Sequence, residues 1–192
     1  MAPEEIDVGP LVLRRWQRAD APGLLAAIEM TLPELRQFMP WAMETPTSES
    51  VSAYLDIAWR PPESYGYGLF DAGEVVGGFG LPGRRGPGIL EIGYWVRSDR
   101  TGRGYATAAA RALTDVSFAF FPATFRVEIR CDPANAASAA VAAKLGYSLD
   151  ARVAAEVEAA AQTGTQLVWA TTRTTWRPTS GRPAPPAERL RR

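Results

Sequence analysis

Leu90-Glu91-Ile92-Gly93-Tyr94-Trp95-Val96, then Gly102-Arg103-Gly104-Tyr105-Ala106-Thr107, carry a strand, a glycine turn and a helix start within about twenty residues. The first segment is apolar, β-branched and aromatic, which suits a buried strand. From Ala106 to Phe120, Ala, Leu, Val and Phe recur at helical spacing. Between them, Gly102 and Gly104 allow φ > 0 or a close approach to a ligand. The free N–H groups of the helix's first turn, reinforced by its dipole, then face an anion. The reading is a phosphate cradle made of backbone from Gly102 to Thr107.

Three kinds of cradle use such a turn. A Walker loop needs a lysine just after its glycines, and the lone lysine, Lys144, lies far away. A dinucleotide fingerprint needs a third Gly or Ala where Thr107 stands, which weakens a nucleotide-dependent oxidoreductase without removing it. The third is the pyrophosphate loop of the GNAT superfamily of N-acetyltransferases, Gln/Arg-x-x-Gly-x-Gly/Ala. Thr101-Gly102-Arg103-Gly104-Tyr105-Ala106 resembles it, and Glu91-Ile92-Gly93-Tyr94-Trp95 resembles the strand of the RimJ/RimL-like branch. A second block, Asn135-Ala136-Ala137-Ser138 leading to Lys144-Leu145-Gly146-Tyr147, resembles the family's Asn-x-x-Ser helix and its Lys-Leu-Gly-Phe end. Thr101 departs from the usual Gln or Arg, and Ala142 stands where many members place a tyrosine acid.

The resemblance implies an α/β fold with a mixed, mostly antiparallel central sheet, flanking helices and a parallel strand pair around the cofactor. It implies acetyl-CoA as donor substrate, bound by Gly102, Arg103, Gly104, Tyr105, Ala106 and Thr107, with Trp95 and Val96 pairing with the pantetheine arm and pointing an N–H at the thioester oxygen. Asn135 and Ser138 complete the cofactor set. Ser138 also becomes the proton donor to the leaving thiol, the role the resembled branch gives a serine there.

Composition narrows the chemistry further. A chain of 192 residues with 46% hydrophobic content supports one domain, read as 1–176. A formal net charge of +0 favours neither nucleic acid nor anionic membrane. Without a span-length apolar run or a signal-like start, the expected location is the cytoplasm. The absence of histidine removes Ser-His-Asp and Cys-His triads and the commoner zinc sites, so no metal is expected. Cys131 reads as a buried strand-end residue.

In chain order, strands are predicted at 9–16, 65–70, 75–80, 125–131, 147–158 and 166–176, and helices from Asp20 to Ile28, from Ser48 to Ala58 and from Asn135 to Gly146. The prolines of Leu32 to Trp41 predict short turns, and in the resembled branch that segment helps wall the acceptor site. Propensity alone makes Ala159-Ala160-Ala161 helical. Arg84 and Arg85 read as solvated, and 177–192, rich in Pro and Arg, as a disordered tail.

Acetyl transfer needs a neutral amine, and an unperturbed lysine-like ammonium has a pKa of about 10.4, so a carboxylate must assist. Glu91 is the candidate base, sitting in an apolar strand that leads to the cradle; Asp150 and Glu156 are alternatives. The expected activity is therefore transfer from acetyl-CoA to a protein N-terminus or a small amine, by direct attack in a ternary complex, the chain acting as monomer or homodimer. A CoA-binding regulatory module that has lost the chemistry is the alternative.

Overall fold

The computed structural model describes residues 2–83 and 85–178, and it splits the stretch around Gly93 in two. Strand β6 (Ile89–Glu91) pairs parallel with β8 (Arg126–Cys131), the last pair being Glu91 opposite Glu128. Strand β7 (Gly93–Val96) pairs instead with β5 (Glu74–Gly80), antiparallel. The break falls at Ile92, whose N–H donates to the Glu128 carbonyl at 2.8 Å. Past that bond the chain leaves its parallel neighbour, and a cleft opens between β7 and β8.

Each parting strand belongs to its own sheet. The first runs β1 (Glu5–Val8), β2 (Leu11–Arg15), β4 (Ser64–Asp71), β5 and β7, with a short β3 (Trp59–Arg60) against β4. The second runs β6, β8, β10 (Thr165–Thr172) and β9 (Ser148–Ala154). Every pairing except β6 with β8 is antiparallel, which matches the expected mixed sheet.

Alternation along β4 and β5 explains how the layers form. Leu69 and Val76 face one core, with Leu113 and Val116 of α3 (Tyr105–Phe120) and Ala142 of α4 (Ala136–Lys144). Phe70 and Val75 face the other, with Leu24, Ile28 and Leu35 of α1 (Ala21–Phe38) and Val51 and Leu55 of α2 (Ser48–Ile57). Strands buried on both faces read as continuous apolar runs. The predicted hairpin at 71–74 forms through Ala72 and Gly73, both at positive φ. At the far end of α3, the Arg173 guanidinium donates to the carbonyls of Phe118, Phe121 and Thr124, placing a cation at the negative end of the helix dipole.

Several expectations are corrected. Helix α1 continues through Pro33 to Phe38 rather than breaking into turns. Its buried residues Leu24, Ala27, Ile28, Thr31 and Leu35 form one stripe, and packing that stripe outweighs the lost backbone bond. Asp20 does not cap α1 with its side chain; its carboxylate takes Arg14 at 2.7 and 2.8 Å and the Gln17 N–H. Strand β1, unforeseen, pairs with β2 as a hairpin. The closing strands are shorter than predicted, and Ala160 and Ala161 form no helix because their N–H groups bond the Arg36 and Gln37 carbonyls at the end of α1. Arg85 is exposed, as expected, but not free: it pairs with Glu91. Arg84 and residues 179–192, most of the expected tail, lie outside the described residues.

Candidate active site

The glycine turn is held from behind by a network of charges. Arg97, buried at the end of β7, bonds Glu74 at 2.6 Å, Asp99 at 2.7 and 2.8 Å and the Val75 carbonyl at 3.1 Å. Hydrogen bonding to Arg97 holds the Glu74 and Asp99 carboxyls below the usual carboxylate range. Arg100 adds a bond to Glu74, and the Tyr105 hydroxyl reaches Asp71 at 2.8 Å, tying the turn to the β4–β5 hairpin. The turn itself is backbone: Gly102 and Gly104 have φ of +73° and +80°, and a Cβ on either would meet nothing within 4 Å. Gly104 is the N-cap of α3, so no side chain caps this helix, and its first turn carries no carboxylate. A sixteen-residue helix thus presents its first N–H groups outward without a partner side chain. Arg103 is exposed beside them, its guanidinium reaching the Asp99 carbonyl at 3.4 Å and no other hydrogen-bond partner among the described residues.

One wall of the cleft is the edge of β7. The Arg97 N–H donates to the Val76 carbonyl at 2.9 Å, so alternation turns the backbone of Gly93 and Trp95 towards β5 and that of Tyr94 and Val96 away from it. On that outer side β7 is the last strand of its sheet among the described residues. Among the described residues it is thus the backbone of Tyr94 and Val96 that no neighbouring strand engages, while that of Trp95 is directed into the sheet. The Trp95 side chain packs on the α1–α2 face, where its indole nitrogen would lie 2.6 Å from a Cβ on Gly78.

The opposite wall is β8 and the start of α4. Asn135 caps α4 as predicted, its Oδ1 accepting the Ser138 N–H at 3.1 Å. Ser138 Oγ lies 3.0 Å from the Tyr94 hydroxyl, which crosses from the other wall. Burial pushes the Tyr94 phenol up to about 12 despite its bond to Ser138. The Cys131 thiol, buried at the end of β8 as expected, is also raised by burial, opposed by the Ser138 hydroxyl and the Trp169 indole beside it. Ala142, the position of the missing tyrosine, is fully buried in the core.

The candidate carboxylates differ in their partners. Glu91 is paired with Arg85 at 2.5 Å, its side chain 17% exposed. Asp150 pairs with Arg126, and Glu156 is exposed on the chain after β9. Glu128 escaped sequence reasoning although Val127-Glu128-Ile129 shows the same signal as Glu91, a carboxylate inside an apolar strand. It is 3% exposed, bonded to Arg126 at 2.6 Å and to Arg130 at 2.8 Å, with both oxygens occupied. Glu91 and Glu128 stand side by side in the last parallel pair before the strands part. Beyond them, the β9–β10 connection bridges to α1, Gln162 donating to the Phe38 carbonyl at 3.2 Å and Asp132 holding Thr163 by its N–H at 2.7 Å. Among the described residues no cluster of three His, Cys, Asp or Glu side chains could hold a metal ion, and no helix is long and apolar enough to cross a membrane.

Comparison with known proteins agrees with this architecture. The family model for the acetyltransferase (GNAT) domain matches residues 10–148. Among solved structures, a microcin C7 self-immunity acetyltransferase, MccE, in complex with acetyl-CoA and AMP is 18% identical with a TM-score of 0.80, over 88% of this chain and 97% of that one. RimL, a ribosomal L7/L12 α-N-protein acetyltransferase in complex with coenzyme A, is 21% identical with a TM-score of 0.80, over 88% and 98% of the two chains. Mycobacterium smegmatis RimJ is 24% identical with a TM-score of 0.77, over 87% and 84%. At these identities the likeness is one of fold. No curated protein matches significantly by sequence.

Proposed function

Since the chain belongs to the acetyltransferase (GNAT) family, we propose that it transfers the acetyl group of acetyl-CoA to the primary amine of a polypeptide N-terminus, by direct attack within a ternary complex. The observation that carries this reading is the juxtaposition of an uncapped helix N-terminus with a cleft whose one wall is an unpaired strand edge. The N–H groups from Gly102 to Thr107 bind the pyrophosphate, and Arg103 supplies a cation to it. The Tyr94 and Val96 backbone pairs with the pantetheine arm. An N–H on that edge faces the thioester oxygen, a preorganised donor of a kind worth about 2.7–4 kcal/mol to a tetrahedral intermediate.

The amine lone pair attacks the thioester carbon and the carbonyl π pair moves onto oxygen. Collapse then breaks the C–S bond, sends its electrons to sulfur and leaves the amide. The nitrogen's proton passes to Glu91, directly or through water. Glu91 has more solvent access than Glu128, and its Arg85 partner keeps a charged group at hand without occupying both oxygens. Ser138 donates to the departing sulfur. Ala142 offers no hydroxyl, so Ser138 is the donor that the first turn of α4 supplies.

A polypeptide N-terminus is favoured over a small amine by the fold shared with RimL, an α-N-protein acetyltransferase, and with RimJ. The test is a panel of peptides with varied N-termini, polyamines and amine antibiotics, read by free-thiol release from acetyl-CoA. Turnover with a subset of peptides is the expected result. Turnover of a small amine alone would move the assignment to the small-molecule branch, and no turnover together with tight CoA binding would favour the regulatory module.

A further inference from the structure

We propose that Tyr94 is a positioning residue that aims the Ser138 hydroxyl at the departing sulfur, an inference that rests on the acetyltransferase reading above. Three observations converge on it. The Tyr94 side chain starts on β7, one wall of the cleft, and ends against Ser138 on the other, at 3.0 Å from Oγ and 3.4 Å from the carbonyl oxygen. Its ring is stacked on Phe79, centroids 5.5 Å apart and planes within 18°, so the hydroxyl has little freedom to swing. Asn135 fixes the Ser138 backbone from the other side by accepting its N–H. The serine is thus anchored twice, by its backbone and by its hydroxyl.

The consequence lies in the proton inventory. A serine hydroxyl has one proton and two acceptor positions. On an unrestrained serine at the start of a helix that proton turns to whichever acceptor is nearest, including the helix's own carbonyls. When Tyr94 donates to Oγ, the Ser138 proton is left for another acceptor. The phenol is in a position to remain a donor at any ordinary pH, because burial keeps it protonated. The Ser138 hydroxyl also opposes the upward push of burial on the Cys131 thiol. Nothing in this requires Tyr94 to transfer a proton: its effect passes wholly through Ser138.

The test uses coenzyme A as probe and needs no acceptor. Cys131 is the chain's sole cysteine, so a Cys131→Ala background leaves bound coenzyme A as the only thiol, and its pKa follows from thiolate absorbance against pH. With Ser138 intact, Tyr94→Phe raises that pKa by about half a unit to one unit, a three- to tenfold loss of thiolate preference. Ser138→Ala raises it at least as far, Ser138→Thr restores most of it, and Tyr94→Phe adds nothing on top of Ser138→Ala. Calorimetry establishes that coenzyme A is bound in each variant whose thiolate titration is read. Equal shifts from Tyr94→Phe with and without Ser138, or no shift at all, overturn the positioning role while leaving the acetyltransferase reading intact. Failure of the parent protein to bind coenzyme A removes that reading, and the proposal with it.

Discussion

Replacing Gly104 with valine separates the cradle from the stability of the fold. Gly104 sits at φ +80°, a left-handed conformation that costs an L-residue about 1–2 kcal/mol. Its new side chain meets no protein atom within 4 Å at Cβ, so no packing term is added to that cost. For a chain of this size the backbone term lowers Tm by about 2–8 °C. Gly9, in the β1–β2 turn at φ +64° with equally open surroundings, supplies the control: Gly9→Val incurs a similar backbone cost without altering the Gly102–Thr107 backbone. The two variants diverge in ligand binding. If the valine denies the pyrophosphate two backbone N–H bonds, each worth about 1.5–3 kcal/mol to a charged acceptor, coenzyme A affinity falls by about 10²–10⁴-fold. Calorimetry with coenzyme A and thermal melts on both proteins make the comparison. Equal coenzyme A affinity in the two variants would refute the cradle.

Other perturbations read other parts of the account. Glu91→Gln lowers turnover most at low pH and least at high pH, where neutral amine forms unaided; a pH–rate profile that drops uniformly, or no loss at all, assigns the base elsewhere. Arg173→Ala removes the cation from the end of α3 and lowers stability by about 1–2 kcal/mol in denaturant titration, with coenzyme A binding unchanged. Burial raises the Asp132 carboxyl, but the N–H groups of Thr163 and Ala134 and the Thr163 hydroxyl outweigh it and hold the folded pKa below its ordinary value. Its stabilisation is therefore present above the unfolded pKa of about 3.9 and lost as pH falls through the lower folded value. Asp132→Asn accordingly destabilises the protein at neutral pH, and the gap from wild type closes in acid, as melts against pH will show.

What sequence could reveal depended on whether a feature was local. Gly102 and Gly104 declare themselves, because only a backbone at positive φ calls for glycines just before a helical run. Asn135 and Gly146 bound α4 for equally local reasons, a side-chain cap and a left-handed exit. The split at Ile92 was not legible. Apart from Glu91, Leu90 to Val96 carries no charge to mark a break, and competition between β5 and β8 for the same chain decides where it parts. Pro33 inside α1 and the non-helical Ala160 and Ala161 are likewise settled by contacts distant in sequence, the buried stripe of α1 and the carbonyls at its end. In the site, the Arg85–Glu91 pair spans six residues across a glycine-rich turn, and Tyr94 meets Ser138 across forty-four. An aromatic in an apolar strand carries no mark of such a partner, so nothing in the sequence singled out Tyr94.

The most direct test of the central claim is residue-resolved amide hydrogen exchange with and without acetyl-CoA. If the donor lies in the cleft between β7 and β8, exchange slows at the N–H groups from Arg103 to Thr107 and at Tyr94 and Val96, while Gly93 and Trp95, already directed towards β5, change little. Protection confined to some other surface, or equal change at Trp95 and Val96, would contradict the placement of the thioester along that strand edge.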